Sequence, residues 1–261
     1  MSGQALIILP VEGREVRLKA VDGASEMLIA EARGEPARLA LDLLERVAEP
    51  ADDGPADWGG LTVTDFEALV LGLRLDLFGA QVRSDFQCPE PGCDERIEME
   101  FSLLDYLGAV RPRRPKGVEP AADRPGWWRL GELEFRLPSA RDQLLAQASA
   151  DGAGRLAELC LGPGSVTPAA RAKVERAMAA MAPEVSGPVE GSCPGCGAGL
   201  RAMFHAPSFV IGELRRAFGL LGEEIDLIAS SYHWSEAEIL AMPRARRQAY
   251  AERIRLRRMA A

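Results

Sequence analysis

Two pairs of cysteines constrain the fold of this chain more than any other feature. Cys88 and Cys93 enclose Pro-Glu-Pro-Gly, whereas Cys193, which follows Cys93 by 100 positions, and Cys196 enclose Pro-Gly. A tetrahedral zinc site needs four sulfurs at about 2.3 Å from the ion, and one short loop cannot supply all of them. We therefore predict a zinc ribbon that is split between two turns, in which the four cysteines together bind one structural Zn²⁺.

The residues inside and after each pair favour tight turns. Proline and glycine between the cysteines bend the chain, so that both sulfurs can face one point. Gly197 follows the second pair, and we expect it to adopt the left-handed conformation that turns backbone N–H groups toward the sulfur. Asp94 holds the corresponding position after the first pair and tolerates this conformation less well. The Cys-x2-Cys pair is therefore a stronger signal than the Cys-x4-Cys pair.

The sequences that follow the two pairs match each other. Phe101 lies eight residues after Cys93, and Phe204 lies eight residues after Cys196. Apolar and charged residues alternate after the first pair with the period of a half-buried strand. The apolar face holds Ile97, Met99 and Phe101, and the charged face holds Arg96, Glu98 and Glu100. We interpret the two regions as zinc-knuckle hairpins that are related by duplication.

A redox-active dithiol and turns without a metal remain open as alternatives to structural zinc. The sequence has neither a signal-peptide pattern nor an apolar run of membrane-spanning length. We therefore expect a soluble protein in a reducing compartment, where disulfides are rare and paired cysteines favour a metal. The fifth cysteine, Cys160, lies in an apolar helical pattern and is predicted to be a small core residue.

A catalytic site has little support in this sequence. Catalytic zinc keeps an open coordination position and usually has histidine or carboxylate ligands. The chain has two histidines. His205 is interpreted as a half-buried strand residue, with a place beside the metal ligands as the alternative, and His233 as a packing residue next to Trp234. No nucleophile–histidine arrangement, P-loop or dinucleotide-binding glycine pattern occurs, so we predict a protein that is not an enzyme.

The order of predicted elements repeats along the chain. Pro-Ala-Arg-Leu-Ala at 36–40, for example, is echoed by Ala-Gly-Arg-Leu-Ala at 153–157. We predict an α+β fold in which a strand–helix–helix–zinc-knuckle-hairpin unit occurs in residues 1–107 and again in residues 127–207, with one split zinc ribbon between them. Residues 208–261 have no counterpart in the first unit and are predicted to form a C-terminal helical appendix.

Residues 108–126 contain many prolines and charges, so we predict a linker between the two units. Trp127 and Trp128 follow it directly. We interpret them as anchors that pin the linker to the core, and a surface for a partner protein is the alternative.

Side-chain caps predict where several helices begin. A capping residue is a short polar side chain that accepts a hydrogen bond from the first turn of the helix. The predicted caps are Asp22 or Ser25, a capping box formed by Thr64 and Glu67, Ser139, Thr167 before Pro168, and a capping box formed by Ser235 and Glu238.

The charge of the chain is unevenly distributed. The net charge is −8, but residues 241–261 hold seven arginines and one glutamate, which leaves −14 for the rest. An acidic body disfavours nucleic acid as the main partner, because such binding requires a basic face. We expect the basic tail to form a helix from Pro243 with a narrow apolar stripe at Tyr250 and Ile254. Its arginines would face an acidic partner or a second copy, and a solvated helix is the alternative.

Several of these segments resemble a known family. One segment resembles the baseplate hub assembly proteins of contractile-tailed phages related to the T-even phages. It consists of the helix that contains Leu73-Arg74 and ends at Phe78-Gly79, the Cys88–Cys93 hairpin and the strand to Phe101. Similar proteins occur in phage-derived extracellular contractile injection systems. Tyr232-His233-Trp234-Ser235 and Arg246-Arg247-Gln248-Ala249-Tyr250 resemble a segment of the same tail-assembly proteins. The second unit and the Cys-x4-Cys spacing depart from that pattern.

The resemblance implies a non-enzymatic structural or chaperone-like assembly protein. Its partners would be baseplate or hub proteins, with self-association possible and no membrane. It would reside in the bacterial cytoplasm or within a phage or phage-tail-like particle. A zinc-ribbon adaptor that binds nucleic acid through Arg96, Arg201 and the basic tail is the alternative, although Glu98 and Glu100 would repel phosphate. A zinc hydrolase or deaminase would need a His-x-Glu ligand set that the sequence lacks.

Overall fold

The first half of the chain folds into a small antiparallel sheet, helices and a hairpin. A computed structural model describes residues 6–162 and 167–259. The elements of the first half, in chain order, are β1 (Leu6–Ile8), β2 (Glu15–Leu18), α1 (Gly23–Glu31), α2 (Pro36–Val47), β3 (Ala48–Pro50), α3 (Val63–Phe78), β4 (Gln81–Gln87), β5 (Arg96–Ser102) and α4 (Leu103–Ala109). Strand β2 lies between β1 and β3, and β4 pairs with β5.

The second half has the same kinds of elements and continues into further helices. These elements are β6 (Val118–Pro120), β7 (Trp127–Leu130), β8 (Leu133–Arg136), α5 (Ala140–Gln147), α6 (Gly152–Cys160), α7 (Pro168–Met181), β9 (Gly187–Ser192), β10 (Gly199–Phe204), α8 (Ala206–Phe218), α9 (Leu221–Tyr232), α10 (Glu236–Leu240) and α11 (Arg244–Met259). Strand β7 lies between β6 and β8, and β9 pairs with β10. The prediction of mixed helices and small antiparallel sheets is confirmed.

One order of elements occurs in both halves. In the first half, β2 leads into α1 and α2, and the chain then returns as β3 to pair with β2. In the second half, β8 leads into α5 and α6, and Leu161 then returns to bridge Phe135 in β8. A long helix and a cysteine-bearing hairpin follow in each half, α3 with β4–β5 and α7 with β9–β10.

Four of the predicted helix caps are confirmed. Asp22, Ser139, Thr167 and Ser235 each accept a hydrogen bond from a backbone N–H in the first turn of α1, α5, α7 and α10, respectively. These caps depend only on residues three positions apart, so a local sequence pattern can indicate them.

The predicted capping box at Thr64 and Glu67 is wrong. Helix α3 begins two residues earlier than that box would place it, because Thr62 is its cap and accepts a hydrogen bond from the N–H of Asp65. Thr64, Asp65 and Glu67 are buried instead. Asp65 accepts hydrogen bonds from the N–H groups of Val11 and Glu12 in the turn between β1 and β2. These polar side chains therefore join distant segments rather than close the helix end.

The segment predicted as a linker, residues 108–126, is packed in part. Val118 is buried and β6 pairs with β7. The N–H of Val118 donates to Pro115 O across a turn, and Gly117 in that turn has a φ of 84°, a conformation that glycine adopts without strain. Trp128 packs against the same apolar cluster as Val118, which agrees with its interpretation as an anchor.

The C-terminal residues do not form a separate appendix. The apolar side of α8, with Val210, Ile211, Leu214 and Phe218, lies in the principal core and packs against α1, α2 and α3. Helices α9, α10 and α11 share a smaller cluster around Ile228, Ile239 and Ile254. The apolar positions of α8 have helical spacing in the sequence, but the spacing does not reveal which partner they cover.

Two arginines at the start of the final helix differ from the expectation that its arginines face a partner or solvent. Arg247 is 1% exposed and forms ion pairs with Glu26 in α1 and with Glu224 in α9. Arg244 lies over the ring of Phe218, with its guanidinium carbon 5.0 Å from the ring centroid. His233 is exposed and ends α9 in a left-handed conformation, so its predicted packing role is wrong.

Candidate metal centre

The first cysteine loop closes through backbone hydrogen bonds. Strands β4 and β5 pair up to Gln87 and Arg96, so that the loop spans residues 88–95. The N–H of Cys88 donates to Glu95 O at 2.9 Å, and the N–H of Cys93 donates to Glu90 O at 3.1 Å. Gly92 has a φ of 83°, the value that a type II turn requires at its third residue. Gly92 therefore provides the left-handed residue of this loop, and Asp94 does not.

The second loop is shorter and closes in an equivalent way. Strands β9 and β10 pair up to Ser192 and Gly199. The N–H of Cys193 donates to Ala198 O at 2.9 Å, which corresponds to the bond between Cys88 and Glu95. Gly197 has a φ of 74°, as the sequence predicted, and its N–H donates to Cys193 O at 2.9 Å. The first loop has two more residues between its cysteines than the second loop. Its left-handed glycine, Gly92, therefore lies between the cysteines, whereas Gly197 follows the second pair.

The structure brings all four cysteines of the two pairs together. The sulfurs of Cys88, Cys93, Cys193 and Cys196 lie within 4.8 Å of one another. The Sγ atoms of Cys88 and Cys196 are 3.8 Å apart, and so are those of Cys93 and Cys193. A tetrahedron of sulfurs around an ion at about 2.3 Å has edges of about 3.8 Å, whereas a disulfide joins its sulfurs at about 2.0 Å. No disulfide joins these four sulfurs, and they have the spacing of a four-sulfur metal site.

The thiols of this cluster influence one another strongly. The pKa of Cys193 is lowered to about 7, mainly because its sulfur accepts a hydrogen bond from the N–H of Cys196. Burial raises this pKa, and the N–H of Gly195 lowers it further. For Cys88, the N–H of Glu90 lowers the pKa, but burial and the neighbouring sulfurs together outweigh it and raise the pKa to about 12. Four adjacent thiolates repel one another, and a bound cation would remove that cost.

Apolar residues at matching positions of the two hairpins pack against the sulfur cluster. Ile97 and Leu200, each four positions after the second cysteine of its pair, are buried against Cys88 and Cys193. Further down, the rings of Phe101 and Phe204 meet edge to face with centroids 6.2 Å apart. The equivalent positions that the sequence identified are therefore in contact across the two hairpins.

Buried polar residues of the first half position the second hairpin. Thr64 donates a hydrogen bond to Pro183 O at 2.8 Å, and Glu67 accepts one from the N–H of Ser186 at 2.9 Å. The hydroxyl of Tyr106 donates to Val185 O. The sequence analysis did not identify this role, although Thr64 and Glu67 on the largely apolar helix α3 were a signal that could have indicated it.

Arg74 positions the first hairpin in a similar way. It is buried and donates hydrogen bonds to Gly79 O and Gln81 O, where α3 ends and β4 begins. It also forms an ion pair with Glu213 in α8, with Nε and Oε2 2.8 Å apart. The arginine of the Leu73-Arg74 motif therefore holds a helix end, a strand start and a neighbouring helix together.

The other candidate residues lie outside the sulfur cluster. His205 caps α8, where its Nδ1 accepts from the N–H of Ser208, and it is not a strand residue. Cys160 is buried, as predicted, and burial raises its pKa to about 11. In residues 6–162 and 167–259, no histidine or carboxylate joins the four cysteines as a possible metal ligand.

Comparison with protein-family models, with curated proteins and with solved structures finds no match for the chain. Within the two described ranges, none of the helices has both the length and the apolar character needed to cross a membrane.

Proposed function

We propose that Cys88, Cys93, Cys193 and Cys196 bind one structural Zn²⁺. The observation that carries this proposal is the convergence of four sulfurs from two hairpins at tetrahedral spacing. Four cysteine ligands are typical of structural zinc, because they leave no position open for a substrate. The N–H groups near Cys193 would stabilise its thiolate on the metal. The ion would join two segments that are 100 positions apart.

We also propose that the two hairpins belong to duplicated units that form one split zinc ribbon. The repeated order of elements supports this proposal, and so does the contact between Phe101 and Phe204 at equivalent positions. A duplicated unit whose copies each supply two ligands needs both copies to complete the metal site.

For the whole protein, we propose a non-enzymatic structural or assembly role in a contractile phage tail-like baseplate. The support is the resemblance of the α3–hairpin segment and of the C-terminal segment to baseplate hub assembly proteins. In both segments the motif residues have structural roles. Arg74 positions a hairpin, the rings of Tyr232 and Trp234 stack, and the ring of Tyr250 meets both of them edge to face. The partners would be baseplate or hub proteins.

A zinc-ribbon adaptor for nucleic acid has less support. Arginines that could contact phosphates from the hairpins form pairs with acids on the opposite strand: Arg83 with Glu100, Arg96 with Asp85 and Arg201 with Glu190. A surface of alternating charges lacks the net positive potential that binding to phosphates requires.

Metal analysis of the purified protein tests the zinc site. We expect about one zinc per chain, and we expect Cys88→Ser to lose nearly all of it while the matched control Cys160→Ser keeps it. Structural zinc contributes on the order of 10 kcal/mol of apparent binding energy, so chelation should lower the melting temperature markedly. Two zinc ions per chain, or half of the metal retained in Cys88→Ser, would contradict a shared site.

Gene context and a deletion test the assembly role. We expect genes for sheath, tube and spike proteins beside this gene, and we expect its deletion to abolish assembled particles in electron micrographs. Complementation with Cys193→Ser should fail if the metal-bound fold is needed, whereas Cys160→Ser should restore assembly. Normal particles in the deletion strain would refute the role.

A further inference from the structure

A pocket of about 520 Å³ lies apart from the metal centre, between the two halves of the chain. Helix α3 of the first half forms one side, and α5, α6 and α7 of the second half form the others. Its walls are largely apolar and include Leu156, Leu161, Met178 and Val185. The volume lies within the range of about 300–1,000 Å³ that is typical of small-molecule sites.

Gln143 and Glu67, two of the residues that line this pocket, carry buried hydrogen-bond acceptors. The side-chain oxygen Oε1 of Gln143 is buried and has no hydrogen-bond partner among the described residues. Glu67 is 2% exposed, and in the described part of the chain its carboxylate accepts one hydrogen bond, from the N–H of Ser186. A carboxylate can accept about four. Unpaired buried acceptors are costly, and a ligand with N–H donors would satisfy them.

The charge of the pocket favours a cation. Arg171 and Glu175 neutralise each other in a pair with Nε and Oε1 2.7 Å apart. Glu67 and Glu184 then remain as carboxylates among the lining residues. Burial is the largest cause that raises the pKa of Glu67, so a cation beside it would hold the ionised form.

We propose that this pocket binds an alkylammonium or arylalkylammonium group. The apolar part of such a ligand packs against Leu156 and Met178, and its N–H groups donate to Gln143 and Glu67. A free amine and the lysine side chain of a partner protein share this chemistry. The pocket is independent of the sulfur cluster, and its occupation does not depend on the proposed metal or on the proposed assembly role.

Methyl-¹³C methionine spectra of the zinc-loaded full-length protein provide the test. Titration with phenethylammonium chloride should shift the methyl signal of Met178, which lines the pocket, and leave that of the exposed Met203 on the second hairpin unchanged. The neutral analogue 2-phenylethanol should bind at least about tenfold more weakly, because it lacks the charge. Absence of a Met178 shift at millimolar amine, or equal binding of the two compounds, would overturn the proposal.

Two variants connect the binding to the buried acceptors. Glu67→Gln keeps an oxygen for the N–H of Ser186 but removes the charge, and Gln143→Met keeps the side-chain length but removes the acceptor. Each should weaken phenethylammonium binding about tenfold or more, and Glu67→Gln should leave 2-phenylethanol binding nearly unchanged, because that ligand carries no charge. Unchanged amine affinity in both folded variants would refute the assigned contacts.

A lysine peptide distinguishes the two sources of the ammonium group. Acetyl-Gly-Lys-Gly-amide that shifts Met178 at lower concentration than butylammonium would assign the pocket to a lysine of a partner protein. The reverse order would assign it to a free amine. If neither compound shifts Met178, the proposal is wrong for both sources.

Discussion

Removal of the buried arginine of the final helix is expected to destabilise the protein strongly. Arg247 is 1% exposed, and its carboxylate partners Glu26 and Glu224 are 2% and 5% exposed. The Nε atom of Arg247 lies 2.9 Å from Glu224 Oε2, and Nη2 contacts Glu26. Arg247→Ala would leave two buried carboxylates close together without this cation. Loss of one partner from a buried ion pair typically costs about 3–5 kcal/mol.

Urea unfolding of the variants measures this loss. With a slope of about 3 kcal/mol per molar urea for a chain of this size, Arg247→Ala should lower the midpoint by about 1–2 M. Arg253→Ala is the matched control, because Arg253 is exposed on the same helix and should cost less than about 0.5 kcal/mol. Replacement of all three residues by Arg247→Met, Glu26→Gln and Glu224→Gln should recover most of the loss, because no buried charge remains.

The pH dependence provides a second criterion for the same variant. Burial already raises the pKa of Glu26 above its usual value, and Arg247 is the largest cause that opposes this. Without Arg247 the pKa rises further. A carboxyl with a raised pKa in the folded state gives stability below its unfolded pKa and loses it as the pH rises through the folded value. The loss in Arg247→Ala should therefore shrink between pH 7 and pH 5, and a loss that does not change with pH would refute the reasoning.

Three further changes test other parts of the fold. Burial is the largest cause that raises the pKa of Asp65 to about 6. Wild-type stability should therefore fall by up to about 3 kcal/mol as the pH rises from 4 to 7. Asp65→Asn should remove this part of the pH dependence of the urea midpoint. A methyl group on Gly23 would overlap the backbone of Leu240, so Gly23→Ala should cost about 1–3 kcal/mol. A methyl group on Gly212 in α8 would meet Arg216 Nη1 at 3.8 Å, an ordinary contact, so Gly212→Ala should stabilise by up to about 1 kcal/mol in the same assay. Phe204→Ala should cost about 3–5 kcal/mol, because it removes the central ring of the aromatic contacts below the sulfur cluster; a loss under 1 kcal/mol would contradict that role.

The sequence by itself determined the features that depend on near neighbours. The caps at Ser139 and Ser235 require residues three positions apart, and the alternating faces of β5 require a period of two. The pairing of cysteines within each loop is local in the same sense, as is the left-handed conformation of Gly197. Their geometry follows from short-range sterics and hydrogen bonds, which are present in any fold that the chain adopts.

Only the tertiary structure decided which distant surfaces meet. Thr64 and Glu67 satisfy a local capping pattern, but their hydrogen bonds reach Pro183 and Ser186, 119 positions further along the chain. Arg247 belongs to a charged run that indicates a solvated face, yet its contact with Glu26 spans 221 positions. The physical reason is that burial and ion pairing depend on the partner as much as on the residue itself. A short window of sequence carries the polarity of a side chain but not the position of the group that satisfies it.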